Sequence, residues 1–141
     1  MTGFSFSLHD DCPPDAAAIV DAELDAFNHE AAPLRDVRPI ACIVRDDAGT
    51  VIGGALGRRW GTCCELQQLW VRADLRRQGI GAEVVSRFEG FAYAKGCRSC
   101  YLETFAFQAP AFYRALGYRV EYERADFPHG IVKYHMTKPL A

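Results

Sequence analysis

Hydrophobic and polar residues alternate at the start of the chain, where Phe4, Phe6 and Leu8 are separated by Ser5 and Ser7. A period of two is typical of a half-buried β-strand, so we predict a strand over residues 4–8. Three further strands are predicted over residues 40–44, 51–56 and 63–71. The Asp-Asp-Ala-Gly sequence at 46–49 is typical of a turn between the first two of these. Together the three predict an antiparallel meander.

Two longer stretches place apolar residues at the spacing of an amphipathic α-helix. The first helix is predicted to begin at Asp15, and the second to end before Gly96, a residue type common at helix C-termini. Their apolar positions are Ala16, Val20, Leu24 and Phe27 in the first, and Ile80, Val84, Phe88 and Phe91 in the second.

The remainder of the chain predicts one short helix and three strands. The strands cover residues 98–103, 118–123 and 131–137, and the helix covers residues 110–116. The predicted order is β-α-β-β-β-α-β-α-β-β, which indicates a mixed α/β sheet. No repeat or linker divides the sequence, so we expect a single domain over residues 1–141.

Composition and charge narrow the possible functions. Half of the 141 residues are hydrophobic, which is enough to form a core, and the formal charge of -2 argues against a strongly basic nucleic-acid binder. No apolar run is long enough to span a bilayer, and residues 1–11 do not resemble a secretory signal. The six cysteines are expected to be reduced thiols in a cytoplasmic protein.

The charge is unevenly distributed along the sequence. Residues 1–34 contain seven acidic residues and no Lys or Arg, whereas residues 58–98 contain eight basic residues and four acidic ones. Solvated helix faces would explain both clusters. Alternatively, the middle of the chain binds an anion and its beginning favours cationic ligands.

The segment between the predicted strand 63–71 and the following helix favours the anion site. Gly79 and Gly81 lack a Cβ, so a ligand could approach their backbone closely. The first N–H groups of a helix have no partner within it and bind phosphate well, and Arg76 and Arg77 add positive charge. The segment has neither the three glycines of a dinucleotide fingerprint nor a Walker lysine. An ordinary helix start with a basic turn is the alternative.

Two motifs in this half of the chain resemble those of the GNAT superfamily of acyl-CoA-dependent N-acyltransferases. Arg76, Gly79 and Gly81 match its Gln/Arg-x-x-Gly-x-Gly/Ala signature, and residues 109–118 are similar to its second motif, in which Tyr113 is followed four residues later by glycine. The resemblance implies a mixed sheet of about seven strands with helices on both faces. It also implies acetyl-CoA as co-substrate, and the cysteine spacing gives no reason to expect a metal.

The same resemblance implies where the cofactor binds. Backbone amides of the glycine-containing loop would bind the CoA pyrophosphate, and the strand before it would pair with the pantetheine arm. The implied residues are Leu69, Trp70, Val71, Arg76, Arg77, Gln78, Gly79, Ile80, Gly81 and Ala82, together with Gln108 and Phe112 near the second motif. Many family members have an asparagine where this chain has Ala106, and Gln108 is the candidate replacement.

The catalytic candidates also come from the resemblance. Tyr113 matches the tyrosine near the CoA sulfur and is the candidate general acid, although a packed ring that only orders the site is the alternative. Glu65 is the candidate general base, acting directly or through water, and a solvent-facing glutamate is its alternative. Strand alternation places Cys63, Glu65, Gln67, Leu69 and Val71 on one face, which would put Glu65 beside the cleft. His129 and His135 are further candidates, for which a structural or surface role is the favoured interpretation.

The sequence therefore predicts direct transfer of an acetyl group from acetyl-CoA to a primary amine of a small molecule or peptide. A non-catalytic acyl-CoA-binding module with the same fold is the alternative. The expected partner is the amine acceptor, without nucleic acid or membrane, and a homodimer is left open. Cys97 and Cys100 have the spacing of half a zinc site, but buried packing is the favoured interpretation.

Overall fold

A six-stranded mixed β-sheet is the main element of the structure, a computed structural model that describes residues 3–31 and 33–141. The chain divides into two compact units, Met1–Arg35 and Asp36–Ala141. The sheet lies in the second unit, between Arg38 and Pro139. None of the helices in the described part of the chain is long and apolar enough to cross a membrane.

The first unit contains helix α1, Pro14–Ala31. Proline suits the first turn of a helix because the N–H that it lacks would have no partner there, and the acidic Asp15 is favourable beside the positive end of the helix dipole. The predicted strand over residues 4–8 is wrong, because residues 3–9 form neither helix nor strand. Alternation supplies an apolar face, but a strand also needs a neighbouring backbone to pair with.

The second unit contains the remaining strands and helices in the predicted order. They are β1 (Arg38–Arg45), β2 (Val51–Trp60), β3 (Cys63–Val71), α2 (Ile80–Ala94), β4 (Ser99–Phe105), α3 (Pro110–Ala115), β5 (Arg119–Arg124) and β6 (Lys133–Pro139). Short 3-10 turns lie at Leu34–Asp36, Ala73–Leu75 and Pro128–Gly130. With residues 4–8 unpaired, the strand count is six and not about seven.

The sheet has the strand order β1-β2-β3-β4-β6-β5. Every neighbouring pair is antiparallel except β3 and β4, which run parallel. The parallel pair has only three register pairs, Cys63↔Ser99, Cys64↔Cys100 and Glu65↔Tyr101. Among the described residues no pair follows Glu65↔Tyr101, so β3 and β4 separate there. Their C-terminal halves leave a gap in the middle of the sheet.

Helix α2 closes one side of this sheet over strands β1 to β3. Its residues Val84, Val85, Phe88 and Ala92 are at most 2% exposed and pack in the same core as Leu66. Burial of each large apolar side chain contributes about 1.5–3 kcal/mol, so this face of the helix holds the sheet in place. Cys97 and Cys100 are fully buried in that core. All six cysteines are free thiols.

A β-bulge interrupts the pairing of β2 with β3. Leu56 pairs with Gln68 whereas the next residue, Gly57, pairs with Leu66, so Gln67 is the extra residue. Gly57 lies where a side chain would not fit. A Cβ there would overlap the carbonyl oxygen of Glu65 and lie 2.9 Å from Cζ of the fully buried Phe88.

The substitution Gly57→Ala is therefore expected to lower the free energy of unfolding by about 2 kcal/mol or more. Moving either the strand backbone or the packed Phe88 ring to make room for the methyl group costs energy. Denaturant unfolding followed by circular dichroism measures the change. Gly90→Ala is the matched control: this helical glycine is exposed with open space around it. Here alanine should stabilise the protein by about 0.5–1 kcal/mol. Equal stability of the two variants would contradict this account of the bulge.

Candidate functional site

A cleft of about 830 Å³ opens where β3 leaves β4. The end of β3 and the start of α2 form one side, and the segment leading into α3 forms the other. The residues that line it are Leu69, Trp70, Val71, Leu75, Arg76, Arg77, Gly79, Ile80, Gly81, Ala82, Phe107, Gln108, Ala109 and Phe112. Eleven of the twelve residues predicted to contact the cofactor lie on this cleft.

The loop between β3 and α2 directs the start of the helix into the cleft. Gly79 and Arg77 both have positive φ angles, 84° and 65°, which turn the chain sharply before the helix. The first intrahelical bond is donated by Glu83 to the carbonyl of Gly79, at 3.1 Å. The preceding N–H groups, of residues 80–82, have no acceptor within the helix, so this end of the cleft suits an anion.

Two arginines support this loop in different ways. Arg72 pairs with Asp74 at 2.7 Å, and that hydrogen bond lowers the pKa of the Asp74 carboxyl. Nε of Arg76 donates to the carbonyl of Val71 at 2.9 Å, which ties the loop to the end of β3. Arg76 and Arg77 both line the cleft, so their positive charge lies beside the free N–H groups.

Helix α2 and helix α3 come close together at Gly81. A Cβ at Gly81 would lie 3.4 Å from the ring of Phe112 and 3.8 Å from Val71. Gly81 therefore leaves room for the Phe112 ring beside the start of α2, so the two sides of the cleft come into contact there.

Only Gln78 among the predicted cofactor residues lies elsewhere, on a second groove between β1 and α2.

The side chain of Gln108 is partly occupied within its own turn. Its Oε1 accepts hydrogen bonds from the N–H of Phe105 at 2.8 Å and from the hydroxyl of Thr104 at 3.3 Å. The acceptor oxygen is therefore used to shape the turn after β4. Its amide nitrogen is the group that remains to serve a ligand in the cleft that Gln108 lines.

Tyr113 is a buried residue of α3, only 8% exposed. Its ring makes edge-on contacts with Phe112 and Tyr118 at 5.2 and 5.8 Å. Burial, with a smaller contribution from Cys100, raises the pKa of its hydroxyl to about 12. The Tyr113 ring contacts Phe112, which lines the cleft, but Tyr113 itself is not among the residues that line it.

Glu65 lies on the opposite face of β3 from the cleft residues Leu69 and Val71, so the predicted shared face of Cys63, Glu65, Gln67, Leu69 and Val71 is wrong. The physical reason is the bulge at Gln67, which shifts the alternation by one residue. Cys64 and Leu66 point into the core before the bulge, and Leu69 packs against the same core after it. Glu65 therefore faces away from the core, while the cleft is formed by residues after the bulge.

A chain of polar contacts surrounds Glu65 on that face. Nε of Arg58 donates to its carboxylate at 2.8 Å, and the Glu65 side chain is 16% exposed. Tyr101 is its register partner on β4, and the Tyr101 ring stacks on His135 at 5.4 Å. The other candidate histidine, His129, lies in an exposed turn with a φ of 62°.

Several residues at these sites were not singled out from the sequence. Leu75, Phe107 and Ala109 line the cleft, and Arg58 and Tyr101 border Glu65. Leu75 directly precedes Arg76 of the first motif, Ala109 is the first residue of the second and Phe107 lies two residues before it, so proximity to the motifs was an available signal. For Arg58 and Tyr101 no signal existed, because only the register of β2, β3 and β4 brings them to Glu65.

Comparison with known proteins places these features in a family. The family model for the acetyltransferase (GNAT) family matches residues 6–118. Blasticidin-S acetyltransferase of Streptomyces morookaense is 35% identical over 112 residues, which cover 79% of this chain and 80% of that protein.

Solved structures agree with the sequence matches. An acetyltransferase from Bacillus cereus superposes with a TM-score of 0.79 at 26% identity, over 95% of this chain and 98% of that one. A candidate streptothricin acetyltransferase from Bacillus anthracis, solved with acetyl coenzyme A, has a TM-score of 0.59 at 16% identity, over 66% and 58% of the two chains. At that identity the second likeness shows the fold alone.

The raised pKa of Tyr113 predicts how stability depends on pH. The folded protein holds this proton more tightly than the unfolded chain, whose tyrosines titrate near pH 10. The contribution of buried, protonated Tyr113 to the free energy of unfolding is therefore complete below about pH 10. It is lost as the pH rises toward 12, which lowers that free energy by up to about 2 kcal/mol. Unfolding free energies measured at intervals from pH 8 to 11.5 should fall less steeply for Tyr113→Phe than for the wild type.

Tyr122→Phe is the control for that series, because Tyr122 is an exposed tyrosine on β5. The unfolding free energy of Tyr122→Phe should change with pH as that of the wild type does. Parallel curves for wild type and Tyr113→Phe would argue against a raised pKa at Tyr113.

Proposed function

Because the chain belongs to the GNAT family of acetyltransferases and is an acyltransferase, we propose that it transfers the acetyl group of acetyl-CoA directly to a primary amine. Both substrates would be bound together in a ternary complex. The observation that carries the proposal is the cleft between the separated halves of β3 and β4, with a helix N-terminus and two arginines at one end.

The cofactor would bind along this cleft in an extended form. Its pyrophosphate would accept hydrogen bonds from the backbone N–H groups of residues 80–82, with Arg76 and Arg77 beside it. The pantetheine arm carries amide groups, and it would add to the unpaired edge of β3 as a strand does. An N–H near Leu69 would then stabilise the negative charge that develops on the thioester oxygen.

Two proton transfers complete the proposed reaction. The acceptor arrives as an ammonium ion and must lose a proton before its nitrogen can attack, which is the role proposed for Glu65. The leaving CoA thiolate gains a proton, and Tyr113 is the proposed donor. Burial keeps Tyr113 protonated at neutral pH, as a general acid requires. Because Tyr113 contacts Phe112 but does not itself line the cleft, the thiolate would have to come close to Phe112 to receive this proton.

For the acceptor we propose a small cationic amine. The support is the 35% identity with blasticidin-S acetyltransferase over most of both chains. The acidic surplus in residues 1–34 is compatible with a cationic ligand, although it does not specify one. Blasticidin S is accordingly the first compound to test, followed by other small amines and peptide N-termini.

One observation favours a second candidate, a non-catalytic acyl-CoA sensor. Tyr113 is packed among aromatic rings and Glu65 is paired with Arg58, so both proposed catalytic groups have structural contacts. A sensor would bind acetyl-CoA without turnover. Assays of CoA release therefore separate the two candidates, whereas assays of binding do not.

Acetyl-CoA binding is expected to stabilise the folded protein by about 2.7 kcal/mol when its concentration is a hundred times the dissociation constant. Arg77→Gly removes one charge and tolerates the positive φ, so the dissociation constant should rise about fivefold, equivalent to about 1 kcal/mol. Thermal shift and calorimetric titration measure both effects. Arg119→Ala, an exposed arginine on β5, is the charge control. The cleft assignment fails if both variants bind as the wild type does.

Tyr113→Phe is expected to lower kcat by at least about tenfold with little change in affinity for acetyl-CoA, because it removes only the proton donor. Steady-state release of CoA with the best acceptor gives kcat, and calorimetry gives the affinity. Phenylalanine keeps the aromatic packing of the core. Unchanged kcat in a folded variant would remove Tyr113 from the proposed mechanism.

A further inference from the structure

We infer that the hydroxyl of Tyr101 connects the acceptor amine to Glu65 and relays the proton between them. This inference rests on the proposed function and adds to it a residue and a place for the acceptor. Nothing in the two sequence motifs points to Tyr101, which lies on β4 outside both of them. The argument comes from strand register, sheet face and side-chain contacts.

Tyr101 and Glu65 lie at the apex of the gap between β3 and β4. They form the last of the three register pairs that join the two strands. Beyond them the cleft opens on one face of the sheet. The cleft lining on β3 begins at Leu69, four residues beyond Glu65, so a thioester held near Leu69 would lie farther along the same strand than this pair. An acceptor that approaches from the opposite face would meet Tyr101 and Glu65 first.

The carboxylate of Glu65 is not freely available to an incoming amine. Its Oε1 accepts a hydrogen bond from Nε of Arg58 at 2.8 Å, and its side chain is 16% exposed. Arg58 is also its register partner on β2, so the strand pairing itself holds the two side chains together. Such a charge-assisted bond fixes the orientation of the carboxylate. A base that is shielded in this way needs an intermediary.

Tyr101 has the position and the chemistry of that intermediary. It is half-buried, and burial followed by the neighbouring Glu65 raises the pKa of its hydroxyl. The hydroxyl therefore stays protonated and can donate to the carboxylate while its oxygen accepts from another donor. Stacking against His135, at 5.4 Å and an interplanar angle of 19°, fixes the ring.

The proposed step balances without any further reactant. The N–H bond of the bound ammonium breaks, and its proton forms a new bond to the Tyr101 oxygen. The original O–H bond of Tyr101 breaks at the same time, and that proton passes to the Glu65 carboxylate. Tyr101 is unchanged, Glu65 becomes neutral, and the amine keeps the electron pair with which it attacks the thioester carbon.

Titratable and charged groups from three neighbouring strands lie around the Tyr101 side chain. They are Arg58 on β2, Cys63 and Glu65 on β3, and His135 on β6. Arg58 favours the deprotonated hydroxyl, whereas Glu65 and Cys63 favour the protonated one. The comparison between pH 6.5 and 9.5 rests on the acceptor, an alkyl amine that ordinarily titrates near pH 10, so its neutral fraction rises over this range. Cys63 and His135 are the same in every variant compared.

The test compares Tyr101→Phe with the wild type over that pH range, using the best acceptor found for the wild type. At pH 6.5 kcat/KM for the acceptor should fall by at least about tenfold, because the variant can use only the small fraction of amine that is already neutral. The deficit should shrink steadily as the pH rises. Affinity for acetyl-CoA should not change. Tyr122→Phe, an exposed tyrosine on β5, should behave as the wild type throughout.

A second comparison guards against a folding defect in Tyr101→Phe. Glu65→Gln should show the same pH-dependent loss, and the double variant should be no worse than Glu65→Gln alone, because the two residues act in one relay. Three results would each overturn the inference. In the first, the reductions in kcat/KM of the two single variants multiply in the double variant; in the second, the reduction in Tyr101→Phe does not change with pH. The third is wild-type activity of Tyr101→Phe. If the wild type binds acetyl-CoA but acetylates no amine, the proposed function fails and the relay fails with it.

Discussion

The separation of β3 and β4 is the constraint on which the site depends. Parallel strands normally continue to pair, because each unpaired backbone N–H and carbonyl in a sheet interior costs free energy unless it finds a partner. Here the pairing stops at Glu65 and Tyr101, and the end of β3 borders a cleft. An extended ligand with amide groups can complete the sheet at that place. The unpaired backbone at the end of β3 is thus the part of the fold that suits an extended ligand.

Helix α2 makes this arrangement stable and also forms the end of the cleft that suits an anion. Its buried face packs on β1 to β3, so its position relative to the end of β3 is fixed by the core. The left-handed residues Arg77 and Gly79 bring the chain from the strand into the helix in a sharp turn. One element therefore serves two purposes, since the same helix that closes the core presents its free N–H groups to the cleft.

The bulge at Gln67 has a consequence for the chemistry. It places the cleft-lining Leu69 and Val71 on one face of the sheet and Glu65 on the other. Groups that would bind the cofactor and groups that would prepare the acceptor thus lie on opposite sides of the same strand. Gly57, the residue beside the bulge, allows this local shift because its lack of a side chain lets the two strands and Phe88 approach.

From the sequence alone the helices and the six strands from residue 38 onward were predicted, because these depend on local periodicity. Eleven of the residues that line the cleft were also predicted, because a short glycine-containing loop and the second motif mark them. The sequence could not determine which strands lack a partner: residues 4–8 alternate but form no strand, since pairing depends on another backbone. Nor could it show a bulge, so the face of Glu65 was predicted wrongly. Arg58 and Tyr101 reach Glu65 only through strand register, which tertiary packing alone decides.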